Sequence, residues 1–114
     1  MARSFRREKV SSLIQEELNN LLIREIEFKD ALVTLTGVDV SSDLEVARVR
    51  FSVIPSEKSG YVLKILEKFK GRLQNWLLKK INIKPMPRLM FEIDYGIANA
   101  AKVEKLLIDE DNKL

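Results

Sequence analysis

The sequence of 114 residues contains no cysteine and no histidine. Without cysteine the chain forms neither a disulfide framework nor a thiolate zinc site, which is compatible with a reducing compartment. The two absences together remove most designs for nucleophilic catalysis, general-base catalysis and transition-metal binding near neutral pH. A phosphate-binding glycine loop and a nucleophile elbow are also missing. We therefore predict a protein that is not an enzyme and that uses no cofactor or metal ion.

Glycine, proline and long apolar runs are scarce. The chain has four glycines and three prolines, and it is 46% hydrophobic and 32% charged, which is typical of a soluble globular protein. No stretch approaches the ~20 apolar residues of a membrane span, and the basic start lacks the apolar run of a signal peptide. We expect one domain over residues 1–114 with an acidic tail from about 109 to 114, cytoplasmic, monomeric and not bound to a membrane.

Positive charge is concentrated in one segment. From Lys64 to Arg88 there are eight basic residues and one acidic residue, a charge of +7. Because the net charge of the whole chain is +3, the rest of the chain carries −4. A second basic cluster, which includes Arg3, Arg6 and Arg7, opens the chain. Such asymmetry is typical of a surface that binds a polyanion.

The apolar spacing changes along the chain from the helical period to alternation and back. Where the alternation slips at Gly37, a β-bulge is expected. The pattern predicts an α+β fold in which helices pack on one face of a three-stranded sheet. The expected elements are a helix over 6–26, strands over 33–40 and 47–53, a helical region over 57–81 capped by Ser56, a strand over 89–93 and a closing helix over 97–108.

Gly71 lies inside the second helical region, where glycine costs about 1 kcal/mol relative to alanine. The apolar stripe passes it without a change of phase, so Gly71 faces solvent between basic residues. Three interpretations are open: a tolerated surface glycine, a kink between two helices, or a kink that lets a phosphate backbone approach freed amide groups. The coincidence of glycine and charge favours the third. The stripe that we expect in the core comprises Val62, Ile65, Leu66, Phe69, Leu73, Trp76 and Leu77, which makes base stacking by Phe69 or Trp76 unexpected.

The order of helix, hairpin, kinked double helix and strand resembles the type II KH fold, with Phe69, Lys70 and Gly71 at the place of its GXXG loop. Three stretches, RREKVSSLIQEELNNLL, LVTLTGVDVSSDLEVARVRFSV and PMPRLMFEIDYGIANAAKVEKLL, are similar to patterns of the bacterial ribosome-binding factor A family. In the second stretch the family's turn falls on Ser41, Asp43 and Leu44. The chain departs from that family at Phe69, where an alanine is usual.

The resemblance implies a non-catalytic assembly factor that binds the small ribosomal subunit and its rRNA during maturation, with roles in 16S rRNA processing and in growth in the cold. Two alternatives stay open: a generic KH-like RNA-binding module, and a protein-interaction module whose basic helix docks on an acidic partner. Salt sensitivity and competition by RNA distinguish the nucleic-acid hypothesis from an uncharged protein interface.

The predicted RNA contacts come from four parts of the chain. The central helix contributes a basic surface around Gly71, the two prolines of the following loop are flanked by basic residues, and the N-terminus forms a basic arm. Two arginines of the second strand are secondary candidates, because exposed arginines on a half-buried strand are ordinary. In this order the candidates are Lys64, Lys68, Lys70, Gly71, Arg72, Lys79 and Lys80; Lys84 and Arg88; Arg3, Arg6 and Arg7; and Arg48 and Arg50.

Overall fold

The computed structural model describes residues 2–83 and 86–96, with side chains from Arg6 onward in these ranges. It confirms the α+β class and the order of the elements up to the third strand. The predicted closing helix over 97–108 and the acidic tail lie outside the described residues. The elements are α1 (Ala2–Glu25), β1 (Leu32–Val40), β2 (Val46–Ile54), one turn of 3-10 helix (Ser56–Lys58), α2 (Ser59–Ile81) and β3 (Arg88–Ile93).

The sheet has the strand order β1-β2-β3, with β2 in the centre. β2 pairs with β1 in antiparallel and with β3 in parallel orientation. A parallel pair needs a long crossover connection, and α2 supplies it. α1 packs mainly on β1, α2 packs mainly on β3, and the two helices touch each other. One face of the sheet is therefore covered, and the other face, which we call the open face, carries exposed polar side chains.

Alternation along β2 explains which face is covered. Ala47, Val49 and Phe51 are fully buried, whereas Arg48 is exposed and Arg50 is half-buried on the open face. Each buried branched or aromatic side chain contributes about 1.5–3 kcal/mol relative to an exposed position. The predicted alternation in β2 is thus confirmed, and it fixes the register because a slip by one residue would expose the apolar set.

The β-bulge expected at Gly37 is confirmed. The register of β1 and β2 shifts between Leu35 and Gly37, so Thr36 is the extra residue. A Cβ atom at Gly37 would lie 2.6 Å from Nη2 of Arg50. Glycine at this position therefore lets the Arg50 guanidinium lie against the backbone of β1 and reach the Asp39 carboxylate, at 3.0 Å.

The turn between β1 and β2 is held by the side chain of Ser41. Its Oγ atom accepts hydrogen bonds from the N–H groups of Glu45 at 3.2 Å and Val46 at 3.0 Å, and it donates to Oδ1 of Asp43 at 2.6 Å. The hydrogen bond from Ser41, followed by the Glu45 N–H, lowers the pKa of Asp43. These contacts stabilise a turn in which Leu44 has a positive φ of 61°.

The boundaries of the helices differ in part from those expected. α1 is described from Ala2, before the predicted start at Arg6, and its inner face buries Val10, Ile14, Leu18, Leu21 and Leu22. The prediction that Ser56 caps α2 is wrong. Ser56 begins the turn of 3-10 helix, and α2 starts at Ser59 without a side-chain cap. At the other end Asn82 adopts the left-handed conformation, and its N–H donates to the carbonyl of Leu78 at 3.0 Å.

Two expectations for α2 are corrected. The division into two helices at Gly71 is not observed, because α2 is one uninterrupted α-helix from Ser59 to Ile81. Within the predicted apolar stripe, Leu66, Leu73 and Leu77 are buried, but Trp76 is 40% exposed. The indole is large and lies at the margin of the stripe toward α1, so α1 and α2 cover it only in part.

Candidate nucleic-acid interface

A row of basic side chains follows the outer side of α2. Lys64, Lys68, Arg72 and Lys79 are all exposed, and their spacings of four, four and seven residues keep them on one side of a helix with 3.6 residues per turn. These four residues together with Gly71 are called the basic ridge. Apart from the adjacent residues and the backbone of the same helix, no described atom lies within 4 Å of the position that a Cβ atom would take at Gly71. The ridge therefore contains a stretch of backbone that is open to solvent.

Within residues 2–83 and 86–96 no carboxylate forms an ion pair with the ridge. The ion pairs of the described residues join Lys70 to Glu67, Arg48 to Glu92 and Arg50 to Asp39, and none of them involves a ridge cation. Neighbouring cations of like charge repel each other by a few tenths of a kcal/mol at a spacing of four residues. A row of like charges without described counterions therefore favours the approach of a polyanion.

Two further predicted residues of α2 lie off the ridge. Lys70 is half-buried, bonds to the Glu67 carboxylate at 2.7 Å and places its Nζ atom 6.0 Å from the ring centroid of Phe91. Lys80 is exposed and lines a shallow groove with Arg24 of α1. Arg24 was not among the predicted contacts. Its position in the last turn of α1 is the signal that could have found it.

The described candidates of α1 and β3 lie at one end of the sheet. The first turns of α1, with Arg7, border a groove whose other wall is the end of β1. Arg6 is exposed beside Arg7, and Arg88 begins β3 opposite the first residue of β2. The N–H of Leu89 lies 3.5 Å from Oε1 of Gln74, so the second half of α2 lies near the same end. Lys84 and the side chain of Arg3 lie outside the described residues.

The two secondary candidates are separated from the ridge. Arg48 and Arg50 lie on the open face, whereas α2 covers the opposite face of the sheet. Arg48 is 3.8 Å from Glu92, and Arg50 is 3.0 Å from Asp39. The structure therefore places them on a mixed-charge surface and does not bring them to the basic residues of α2.

The open face also holds a hydrogen-bonded carboxylate. The hydroxyl of Thr36 donates to Oδ2 of Asp94 at 2.6 Å, and the N–H of Gly96 donates to Oδ1 at 2.9 Å. The Thr36 hydrogen bond, then the Gly96 N–H and the positive charge of Arg50, lower the pKa of Asp94. This carboxylate ties the end of β3 to the bulge in β1.

Neither a metal centre nor a membrane-spanning helix is found in the described part. Residues 2–83 and 86–96 contain no group of three or more carboxylate, imidazole or thiol side chains arranged to hold an ion. None of the helices in these ranges is long and apolar enough to cross a bilayer.

The fold and the ridge define a class: a KH-like α+β domain that presents a basic helix surface. A family model described as "Ribosome-binding factor A" matches residues 6–107. Ribosome-binding factor A of Prochlorococcus marinus is 37% identical over 111 residues, which cover 94% of this chain and 90% of the relative. The Rickettsia bellii protein of that name is 34% identical over 118 residues, with coverage of 96% and 93%.

Solved structures agree in fold. The crystal structure of ribosome-binding factor A from Thermus thermophilus superimposes with a TM-score of 0.66 at 23% identity, covering 76% of this chain and 94% of that one. A homology model of the Thermus thermophilus factor, fitted into the cryo-electron microscopy map of its complex with the 30S subunit, gives a TM-score of 0.60 at 22% identity and covers 80% of this chain and 93% of that one. The chain belongs to the ribosome-binding factor A family. Membership confirms the resemblance found in the sequence and the prediction of a non-catalytic factor.

Proposed function

We propose that the protein is a maturation factor of the small ribosomal subunit and that it holds the subunit through rRNA contacts of the basic ridge. The observation that carries the proposal is the row of exposed cations around Gly71, none of them paired with a described carboxylate. Family membership supplies the partner, because a related factor of the same fold has been fitted into a map of its complex with the 30S subunit.

The chemistry of the ridge suits the phosphate backbone of RNA. Lysine ammonium groups act as mobile point charges, whereas the planar guanidinium of Arg72 suits bidentate contact with a phosphate. Such contacts position a protein on nucleic acid and give strong salt dependence without selecting a sequence. The proposed recognition therefore depends on the shape and charge of the rRNA surface.

Gly71 has a distinct role in this proposal. Gly71 lies between Lys68 and Arg72 along α2, and apart from its chain neighbours and the backbone of its own helix no described atom lies within 4 Å of its Cβ position. A phosphate group can approach the helix closely at this point, since there is no side chain to hold it off, while the flanking cations neutralise its charge. The open space replaces the kink as our explanation of why a glycine stands here.

The test is co-sedimentation of the purified protein with purified 30S subunits, with 50S subunits as the control, at two salt concentrations. If the four ridge cations each neutralise one phosphate, the slope of log affinity against log salt is about −2.8 to −3.6. A threefold rise in salt then weakens 30S binding roughly 20- to 50-fold. Binding that prefers 30S and shows this slope supports the proposal.

Two outcomes contradict it. A folded protein that fails to sediment with 30S subunits at low salt does not use them as its partner. A protein that binds 30S with no dependence on salt does not use the ridge cations for contact with phosphate.

A further inference from the structure

The exposed indole of Trp76 lines a cavity that adjoins the ridge at Arg72. The cavity lies between α1 and α2 and has a volume of about 270 Å³. Its floor is formed by the buried side chains of Leu21 and Leu73 and by Ile26, which follows the last residue of α1. Phe69 and Trp76 form aromatic walls on α2.

Two charged side chains stand at the rim of the cavity. Arg72 places its Cζ atom 5.4 Å from the ring centroid of Phe69, so the guanidinium is held close to an aromatic ring. Glu25, in the last turn of α1, lines the same cavity and is exposed. The cavity is thus apolar inside, aromatic on one side, and charged only at its edge.

We propose that this cavity receives one unpaired nucleobase of the RNA that the ridge holds, with the base stacked on Trp76; the inference rests on the proposed function and deepens it. Single-stranded bases bind proteins by stacking on aromatic rings and on arginine planes. The volume is slightly below the roughly 300–1,000 Å³ of drug-sized clefts, so it suits one ring system.

The charges around the cavity explain why it takes a base and leaves the phosphates outside. Arg72 belongs both to the ridge and to the rim of the cavity, so a nucleotide whose phosphate contacts Arg72 has its base within reach of Trp76. The Glu25 carboxylate repels a phosphate but accepts a hydrogen bond from a base N–H. This complementarity favours RNA over an apolar protein segment, which would gain nothing from either charged group.

Trp76 is the single tryptophan of the sequence, so its fluorescence reports on this cavity alone. The full-length protein is titrated with an oligocytidylate of eight nucleotides, with an abasic ribose-phosphate oligomer of equal length, and with inorganic polyphosphate. All three carry the backbone charge, but the first alone carries bases. We expect the oligocytidylate to quench Trp76 emission, and the other two to bind the ridge without quenching.

Variants tested by anisotropy of labelled RNA provide a second measurement. Trp76→Leu is expected to weaken oligocytidylate binding about 5- to 150-fold, the range measured for removal of a stacking side chain, and to leave binding of the abasic oligomer unchanged. Trp76→Phe retains an aromatic face and is expected to restore part of the affinity. Because Trp76 is partly exposed, we expect Trp76→Leu to fold. Circular dichroism and the denaturation midpoint check this.

The outcomes separate this inference from the proposed function. If 30S binding is salt-sensitive but the oligocytidylate changes Trp76 emission no more than the abasic oligomer does, the base-binding cavity is overturned and the ridge proposal stands. Emission that changes with 30S subunits but not with the oligocytidylate or purified rRNA assigns the cavity to a ribosomal protein and also overturns it. Failure of the parent protein to bind either 30S subunits or RNA overturns the proposed function itself.

Discussion

Replacement of Gly71 by alanine tests whether α2 is continuous. Alanine is favoured over glycine in a helix interior by about 0.8–1.0 kcal/mol, chiefly because glycine loses more backbone freedom on folding. Apart from its chain neighbours and the backbone of α2, the new methyl group meets no described atom within 4 Å, so no contact with another part of the fold offsets this difference. We expect Gly71→Ala to raise the free energy of unfolding by about 0.5–1 kcal/mol.

Urea denaturation followed by circular dichroism measures this change. For an m-value of about 1.5 kcal/mol/M the midpoint rises by roughly 0.3–0.7 M. Gly60→Ala is the matched control, because Gly60 is also open to solvent but is the second residue of α2, where the N–H groups lack helical partners. Its effect should be smaller. A loss of stability in Gly71→Ala would refute the reasoning, since it would require a backbone conformation at Gly71 that alanine cannot adopt.

The remaining predictions concern the surface of the ridge, the core and the open face. Gly71→Gln should be stable but bind 30S subunits more weakly than Gly71→Ala in co-sedimentation, because its side chain fills the space proposed for a phosphate; equal binding contradicts that role. Leu66→Ala should lower the free energy of unfolding by about 2–5 kcal/mol in urea, because Leu66 is fully buried between α2 and the sheet; a loss below 1 kcal/mol contradicts the packing. Asp94→Asn should destabilise the protein above the unfolded aspartate pKa of about 3.9, and the difference should vanish as the pH falls through the lower folded-state pKa. Thr36→Val should raise the pKa of Asp94 in a carbon-13 NMR titration, and an unchanged pKa contradicts the assigned hydrogen bond.

The sequence was most informative where the apolar pattern is strict. Alternation in β2 and the parity slip at Gly37 predicted both the covered face and the bulge, because a strand with one buried face tolerates no other register. The helix boundaries were less predictable. Ser56 has the chemistry of a cap, but the chain turns through a 3-10 helix before α2 begins. Such local choices depend on how the end of β2 meets the helix, which the sequence pattern does not encode.

The site was predictable in its charge and not in its surroundings. Spacing alone put the ridge cations on one side of α2, since helical geometry fixes that relation. It could not show that Lys70 turns toward Glu67 and Phe91, because that depends on the position of β3. It also placed Trp76 in the core. A stripe predicts which residues face inward, but the exposure of those at its margin depends on how closely the neighbouring helix packs.

The central claim is that the ridge on α2 is the surface that holds the small subunit. The most direct test compares two double variants that remove the same charge from opposite faces, Lys64→Gln with Lys68→Gln and Arg48→Gln with Arg50→Gln. The dissociation constant for 30S subunits is measured for each over a series of salt concentrations, with circular dichroism as the check of folding. We predict that the ridge variant binds more weakly and that its salt slope falls by about 2, or about 1 per lysine, while the open-face variant matches the parent. Equal losses in both variants, or a loss confined to the open-face variant, would contradict the account.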